Sequence, residues 1–159
     1  MVRIEVAHRF DVDRETAFDY ITDPANWPAY WPGLVGRPEL DGSGWRTPNA
    51  VARLRMRLGG RRTELTMTLD QWVRPERVCY GSVQPGLAPA RHERHFEPAP
   101  VGFVYRLVVS YNPRPGWAGL LDRTLVRWAI RRALRQTVAA LDQRLPGTAR
   151  ARVKSTKPG

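Results

Sequence analysis

A chain of 159 residues with 42% hydrophobic and 26% charged positions has the composition of one globular domain, long enough to bury a core or enclose a cavity. No apolar run approaches the roughly 18 residues needed to cross a bilayer, and the start MVRIEVAHRFDVD is too polar for a secretory signal. The net charge of +11 is uneven: residues 117–159 hold ten basic residues against Asp122 and Asp142, a net of +8, which leaves +3 for residues 1–116.

In chain order, Val2, Ile4, Val6, His8 and Phe10 alternate with polar or small residues, the period-two pattern of a half-buried strand. Asp13 reads as the N-cap of a helix that carries Ala17, Phe18 and Ile21 on one side. The stretch ITDPANWPAYWPGL follows. Asp23 can cap a helical turn, Pro24 suits its first position, and Pro32-Gly33 stops it, so Trp27, Tyr30 and Trp31 share a face of a short helix. Such a cluster serves either as core packing or as an aromatic lid over a pocket.

From residue 34 to 111 the pattern predicts a meander of strands broken by DGSG, GG, RPER, QPGLAPA and PAPVG. The clearest hairpin turns at Gly59-Gly60, able to take the positive φ of tight turns. It places Leu54, Met56, Leu58, Leu65, Met67 and Leu69 on one face and Arg53, Arg55, Arg57, Arg62 and Glu64 on the other. In RHERHFEP, Arg91, Glu93, His95 and Glu97 share the wet face, so His92, Arg94 and Phe96 point inward. The same parity turns Tyr80, Ser82, Phe103, Tyr105, Leu107 and Val109 inward. After NPRPG a long helix runs from Trp117 to Leu145, ended by Pro146-Gly147. One apolar stripe follows Val126, Ile130, Leu134, Val138, Leu141 and Leu145; Leu120, Leu121, Thr124, Leu125 and Trp128 make a second. The first half of this helix therefore lies in a groove or meets a partner. Residues 147–159 lack bulk and periodicity and are expected to be a disordered basic tail after a single domain over 1–146.

The segment FDVDRETAFDYITDPANWPAYWPG resembles the opening of the START-like, or SRPBCC, superfamily of polyketide cyclase/dehydrase and lipid-transport proteins, and RHERHFEPAP and GLLDRTLVRWAIRRALRQTVAALDQRL resemble its later strands and closing helix. The resemblance covers nearly all of the chain but the tail. It implies an α+β helix-grip (START/Bet v 1-like) fold: a curved antiparallel sheet wrapped around a long C-terminal helix, with two short helices after the first strand. It says little about activity, because that fold hosts carriers, receptors and enzymes alike. The longer tryptophan- and arginine-rich strand segment of the aromatic-polyketide cyclases is poorly matched by RRTELTMTLDQWV, so no catalytic residue carries over from them.

The chemistry open to such a chain is limited. His8, His92 and His95 are the only histidines, His92 and His95 point to opposite faces, and the known metal, phosphate-loop, dinucleotide and serine-hydrolase motifs are missing, so no metal or cofactor is expected. The single cysteine, Cys79, excludes an internal disulfide, reads as a small strand residue, and fits a reducing, cytoplasmic setting. The expected ligand cavity is lined by Met56, Met67, Tyr80, His92, Arg94, Phe96, Tyr105 and Trp128, with Trp27 or Trp31 near its mouth. The inward Arg94 needs a partner, and Glu64 and Asp70 fall on the outer face. A ligand carboxylate, phosphate or enolate could supply it; alternatively Arg94 sits near the sheet edge and reaches water. His92 is either a satisfied core histidine or a general acid or base.

Three functions fit these expectations. The leading one is binding or transport of a hydrophobic small molecule, a lipid or polyketide-like compound. The second is a cyclase or dehydratase in which Arg94 holds an oxyanion and His92 or Tyr80 moves protons. The third is docking of the basic helix, through Arg123, Arg127, Arg131 and Arg135 and the tail, on an anionic membrane surface, which would make the protein peripheral to a membrane, or on another anionic partner; the alternative is a merely solvated face. The interleaved code of a nucleic-acid module is missing, so no nucleic-acid partner is expected.

Overall fold

The computed structural model describes residues 1–42, 44–58 and 60–145. Gly59 of the expected hairpin, the domain end at 146 with its Pro146-Gly147 stop, and the basic tail 147–159 lie outside the described residues.

Strand β1 (Val2–Phe10) leads into helix α1 (Arg14–Thr22), whose N-cap Asp13 accepts the Thr16 backbone N–H at 2.8 Å. Asp23 accepts from the Ala25 N–H and opens a short 3₁₀ turn, Pro24–Asn26, that runs into helix α2 (Trp27–Tyr30). Then come β2 (Glu39–Leu40), β3 (Val51–Leu58), β4 (Arg61–Val73), β5 (Arg77–Val83), β6 (Ala90–Pro98) and β7 (Phe103–Tyr111). They form one antiparallel sheet in the order β1-β7-β6-β5-β4-β3-β2, so that the first and last strands in sequence are neighbours. The β3–β4 register pairs Leu54 with Leu65 and Leu58 with Arg61, as a two-residue connection requires, and Gly60 takes φ +80°.

The long helix is not uniform. Helix α3 (Gly116–Leu121) passes through a π turn, Asp122–Val126, into helix α4 (Arg127–Arg144). The Arg127 N–H donates back to the Asp122 carbonyl, a five-residue step, and that same carbonyl accepts the Tyr111 hydroxyl from the end of β7. The Asp122 carboxylate is buried against Arg114, with Nη2 to Oδ1 at 2.7 Å and the Arg114 backbone N–H to Oδ2 at 2.9 Å, and these bonds hold it below the usual carboxylate range. The π turn is thus tied to the end of β7 and the segment after it through both the main chain and the side chain of Asp122. This interruption was not legible in the helical periodicity.

The concave face of the sheet is filled in two parts. One end is solid: Phe10, Phe18, Phe96, Phe103 and Tyr105 stack with centroids 4.8 to 6.2 Å apart under α1, each almost fully buried. Burying a ring of this size stabilises the fold by roughly 1.5–3 kcal/mol, which makes this end the anchor of the domain. Val138 and Leu141 of the C-terminal half of α4, with its C-cap Leu145, close it. At the other end Ile4, Val109 and Tyr111 form a smaller cluster, against which Val126, Ile130 and Leu134 pack only partly buried. The helix stands off the sheet there. Among the described residues no helix is long and apolar enough to cross a membrane.

Candidate functional site

The stand-off leaves a partly open cavity of about 280 Å³ between sheet and helix. Strand pairing builds its floor: Tyr80 lies opposite His92, Ser82 opposite Ala90, Arg94 opposite Leu107 and His92 opposite Val109, all with inward side chains. Its roof is the inner face of the helix, where Val126, Ile130 and Leu134 alternate with Ala129, Ala133 and Thr137. The three small side chains recur every four residues and leave the space that larger ones would fill. Trp31, Met56 and Leu65 close one side, and Leu87 and Ala88 of the β5–β6 connection another.

Arg94 is the centre of the polar end. It is 4% exposed, in a central strand, which removes the alternative that it reaches water at the sheet edge. Its Nε and Nη2 donate to the Tyr80 hydroxyl at 3.3 and 3.1 Å, and its Nη1 donates to the Tyr30 hydroxyl at 3.2 Å and the Ile21 carbonyl at 3.4 Å. The guanidinium also lies 5.1 to 5.8 Å from the ring centroids of Trp31, Tyr80 and Trp27. Among the described residues no carboxylate pairs with it. Burial opposes the charge, but the oxygens of Tyr80, Tyr105 and Tyr30 outweigh that and hold Arg94 above the ordinary arginine value. Burial likewise pushes Tyr30 up to about 12. The site therefore presents a permanent, desolvated cation without a counter-ion, and one of its five N–H groups has no acceptor in these contacts.

His92 stacks on Tyr80 with centroids 4.7 Å apart and planes 7° from parallel, and its Nε2 lies 2.7 Å from Ser82 Oγ. Burial, with the charge of Arg94 adding to it, pushes the imidazole down to about 3 from its ordinary 6.5. It is neutral at physiological pH, with one ring N–H to donate in a hydrogen bond and no imidazolium proton to give as an acid. The Tyr80 hydroxyl accepts both Arg94 bonds, which leaves its own proton to donate elsewhere.

The structure brings together only part of the expected lining. Trp31, Met56, Tyr80, His92 and Arg94 are on the cavity wall. Met67, Phe96, Tyr105 and Trp27 are packed in the core and do not line the cavity, 0 to 1% exposed. Phe96 and Tyr105 lie in the solid end under α1, Trp27 is buried in α2, and Met67, beside Ser82 in the register, is covered although Ser82 borders the cavity, because parity fixes the face of a strand and not what covers it. Trp27 still helps, through its ring over Arg94. Trp128 is a correction: it is 61% exposed on the outside of the helix. Two residues along a helix turn about 200°, so with Val126 facing in, Trp128 faces out. The opening aromatic stretch divides between both readings, with Trp27 and Tyr30 buried and Trp31 at the cavity edge. Cys79 is buried, and burial raises its thiol.

Two contributors were missed. Tyr30 was legible only as an aromatic, although a tyrosine beside an unpaired inward arginine is a natural partner. Ala129, Ala133 and Thr137 were visible as a small-residue stripe at helical spacing, but only a structure shows that nothing fills the gap opposite them.

Among known proteins, the family described as polyketide cyclase / dehydrase and lipid transport matches residues 1–146. No curated protein matches the chain. A solved START superfamily protein from Mycobacterium smegmatis is 12% identical with a TM-score of 0.70, over 90% of this chain and 96% of that one. A protein from Thermus thermophilus is 15% identical with a TM-score of 0.73, over 91% and 97%. The di-domain aromatase/cyclase StfQ of the steffimycin biosynthetic pathway is 17% identical with a TM-score of 0.65, over 87% of this chain and 48% of that one. At these identities the likeness is one of fold: a curved antiparallel sheet gripping a long C-terminal helix.

Proposed function

The chain belongs to the polyketide cyclase/dehydrase and lipid-transport family, whose fold generally serves binding of hydrophobic small molecules or cyclase chemistry, and on that premise we propose that it binds one amphiphilic small molecule in the cavity between sheet and helix. The carrying observation is the pairing of an apolar vault with one buried, counter-ion-free arginine at its end. Such a vault favours a lipid- or polyketide-like body. The unpaired cation favours a carboxylate, phosphate or enolate oxygen on it, because a charge-assisted bond there offsets a desolvation that the protein has already met.

The test is native mass spectrometry of the purified chain, followed by titration with a long-chain carboxylate. We expect a one-to-one complex that Ala133→Trp, which fills the vault from the helix, abolishes. Binding undiminished in that variant would place the ligand elsewhere and end the reading.

A second reading, cyclase or dehydratase, is favoured by one observation: the Tyr80 hydroxyl, held by Arg94, keeps a proton to donate beside His92. In that reading Arg94 holds the enolate oxygen of a substrate that binds already ionised, Tyr80 protonates the alkoxide formed when the enolate carbon attacks a second carbonyl, and neutral His92 stacks on Tyr80 and fixes its ring. Turnover of a polyketide-like substrate that Tyr80→Phe abolishes while binding persists would support it; a bound substrate recovered unchanged would support the carrier.

A further inference from the structure

The cavity uses only the inner face of the long helix. Its outer face carries Trp117, Leu120, Leu121, Leu125 and Trp128, which are 83%, 53%, 48%, 64% and 61% exposed. Both of the exposed tryptophans of the described residues are among these five. Tryptophan at either end of an apolar strip suits a boundary that is oily on one side and wet on the other.

The charges around the strip are all of one sign. Arg123, Arg127, Arg131, Arg132 and Arg135 are exposed along the same helix, and among the described residues none of them is in an ion pair. The two acids of the helix are spent elsewhere: Asp122 is buried on Arg114, and Asp142 meets His8 of β1 at 3.2 Å. Arg132 lies 5.5 Å over the Trp128 ring, so the basic and apolar parts are continuous. Ala129 is exposed and also lines the cavity, which puts the edge of the vault beside the strip.

We propose that the outer face of α3, the π turn and α4 docks on an anionic lipid bilayer, with its tryptophans and leucines in the headgroup boundary and its arginines on lipid phosphates. Two alternatives fit less well. A second copy of this face would set one arginine row against another, a like-charge contact with no acid to relieve it. A nucleic acid would satisfy the arginines and leave three leucines facing phosphate and water. The proposal does not depend on the cavity reading, since it concerns the outer face and its test needs no ligand.

The full chain is mixed with vesicles of phosphatidylcholine alone and of phosphatidylcholine with phosphatidylglycerol, at low and at physiological salt, and recovered by sedimentation. We expect recovery with the anionic vesicles at both salts and with the neutral ones at neither. Arg127→Gln with Arg131→Gln should weaken partitioning about thirtyfold, at about fivefold per arginine. Leu125→Ser with Trp128→Ser should weaken it by more than about tenfold even at low salt, because buried apolar area is lost and not charge. Both pairs are on the surface, and unchanged thermal unfolding checks that they fold. Equal recovery on both vesicle types, or a serine pair that binds like the parent, would overturn the proposal. So would a dimer that the serine pair dissolves, or duplex binding lost only with the arginines.

Discussion

Replacing Arg94 with methionine separates what the charge does for the fold from what it does for a ligand. The side chain keeps its length and apolar stem and loses the guanidinium. On the fold's side, three acceptors are lost, Tyr80, Tyr30 and the Ile21 carbonyl, at 3.1 to 3.4 Å. These are long for charge-assisted bonds, so each contributes about 1 kcal/mol, roughly 3 in all. The three rings over the guanidinium add about 2 kcal/mol more. Against this stands the desolvation of a cation without a carboxylate, itself several kcal/mol, which methionine does not incur. The two sides nearly cancel, so urea unfolding should show a change of less than about 2 kcal/mol. Binding should behave otherwise. A long-chain carboxylate should lose about 1.5–3 kcal/mol, about tenfold to 150-fold in Kd, while the alcohol of the same chain length should bind almost as before. A destabilisation above about 4 kcal/mol would make Arg94 a structural keystone. Equal losses for acid and alcohol would remove the polar anchor.

Other consequences can be measured directly. His92 titrates near 3 folded and near its ordinary 6.5 unfolded, so the unfolded chain binds more protons between those values and stability falls as pH drops through that window, at up to about 1.4 kcal/mol per pH unit. His92→Gln should flatten that limb of a stability-against-pH series, and an unchanged slope would contradict the burial argument. Ala133→Trp should leave the unfolding midpoint level or higher while excluding ligand; marked destabilisation would mean the vault has no room for the ring. Gly102 sits at φ +68°, and a Cβ there would lie 1.8 Å from the Phe10 carbonyl oxygen. Gly102→Ala should therefore cost more than about 3 kcal/mol in calorimetry, and a loss below about 1 would show that the β1–β7 end yields easily.

The strands were legible because each obeys one physical rule. Leu54, Met56, Leu65 and Met67 lie inside and Arg53, Arg55 and Arg57 outside because a strand has two faces and this sheet wets only one. The same rule turned His92 and Arg94 inward. It could not say that Phe96, two residues on, would be sealed under α1 while His92 borders a void, since that depends on where a helix from a distant part of the chain comes to rest. Nor could periodicity reveal the π turn. One residue out of phase in a long helix looks like ordinary scatter, and its cause, the Asp122 carbonyl shared between Arg127 and Tyr111, joins residues across a loop.

The two faces of the long helix impose opposite requirements on it. A helix that only closed a core would be apolar on one side and wet on the other, and this one closes a core in that way only where Val138, Leu141 and Leu145 meet the sheet. Further toward its N-terminus it must stand away from the sheet to leave a vault, so its inner side chains alternate between branched residues and alanine. The contacts it forgoes there have to be replaced if the helix is to stay in place. Tyr111 and Arg114, both bound to Asp122, supply that hold from the end of β7. On the binding reading proposed above, a helix pinned at its π turn and packed at its C-terminal end, but standing off the sheet between them, is the wall through which a ligand would pass. The outer face of that wall carries the tryptophans and arginines. An amphiphile entering from a docked bilayer would then present its acidic end to Arg94 and leave its tail against Val126, Ile130 and Leu134, oriented by the polarity of the cavity alone.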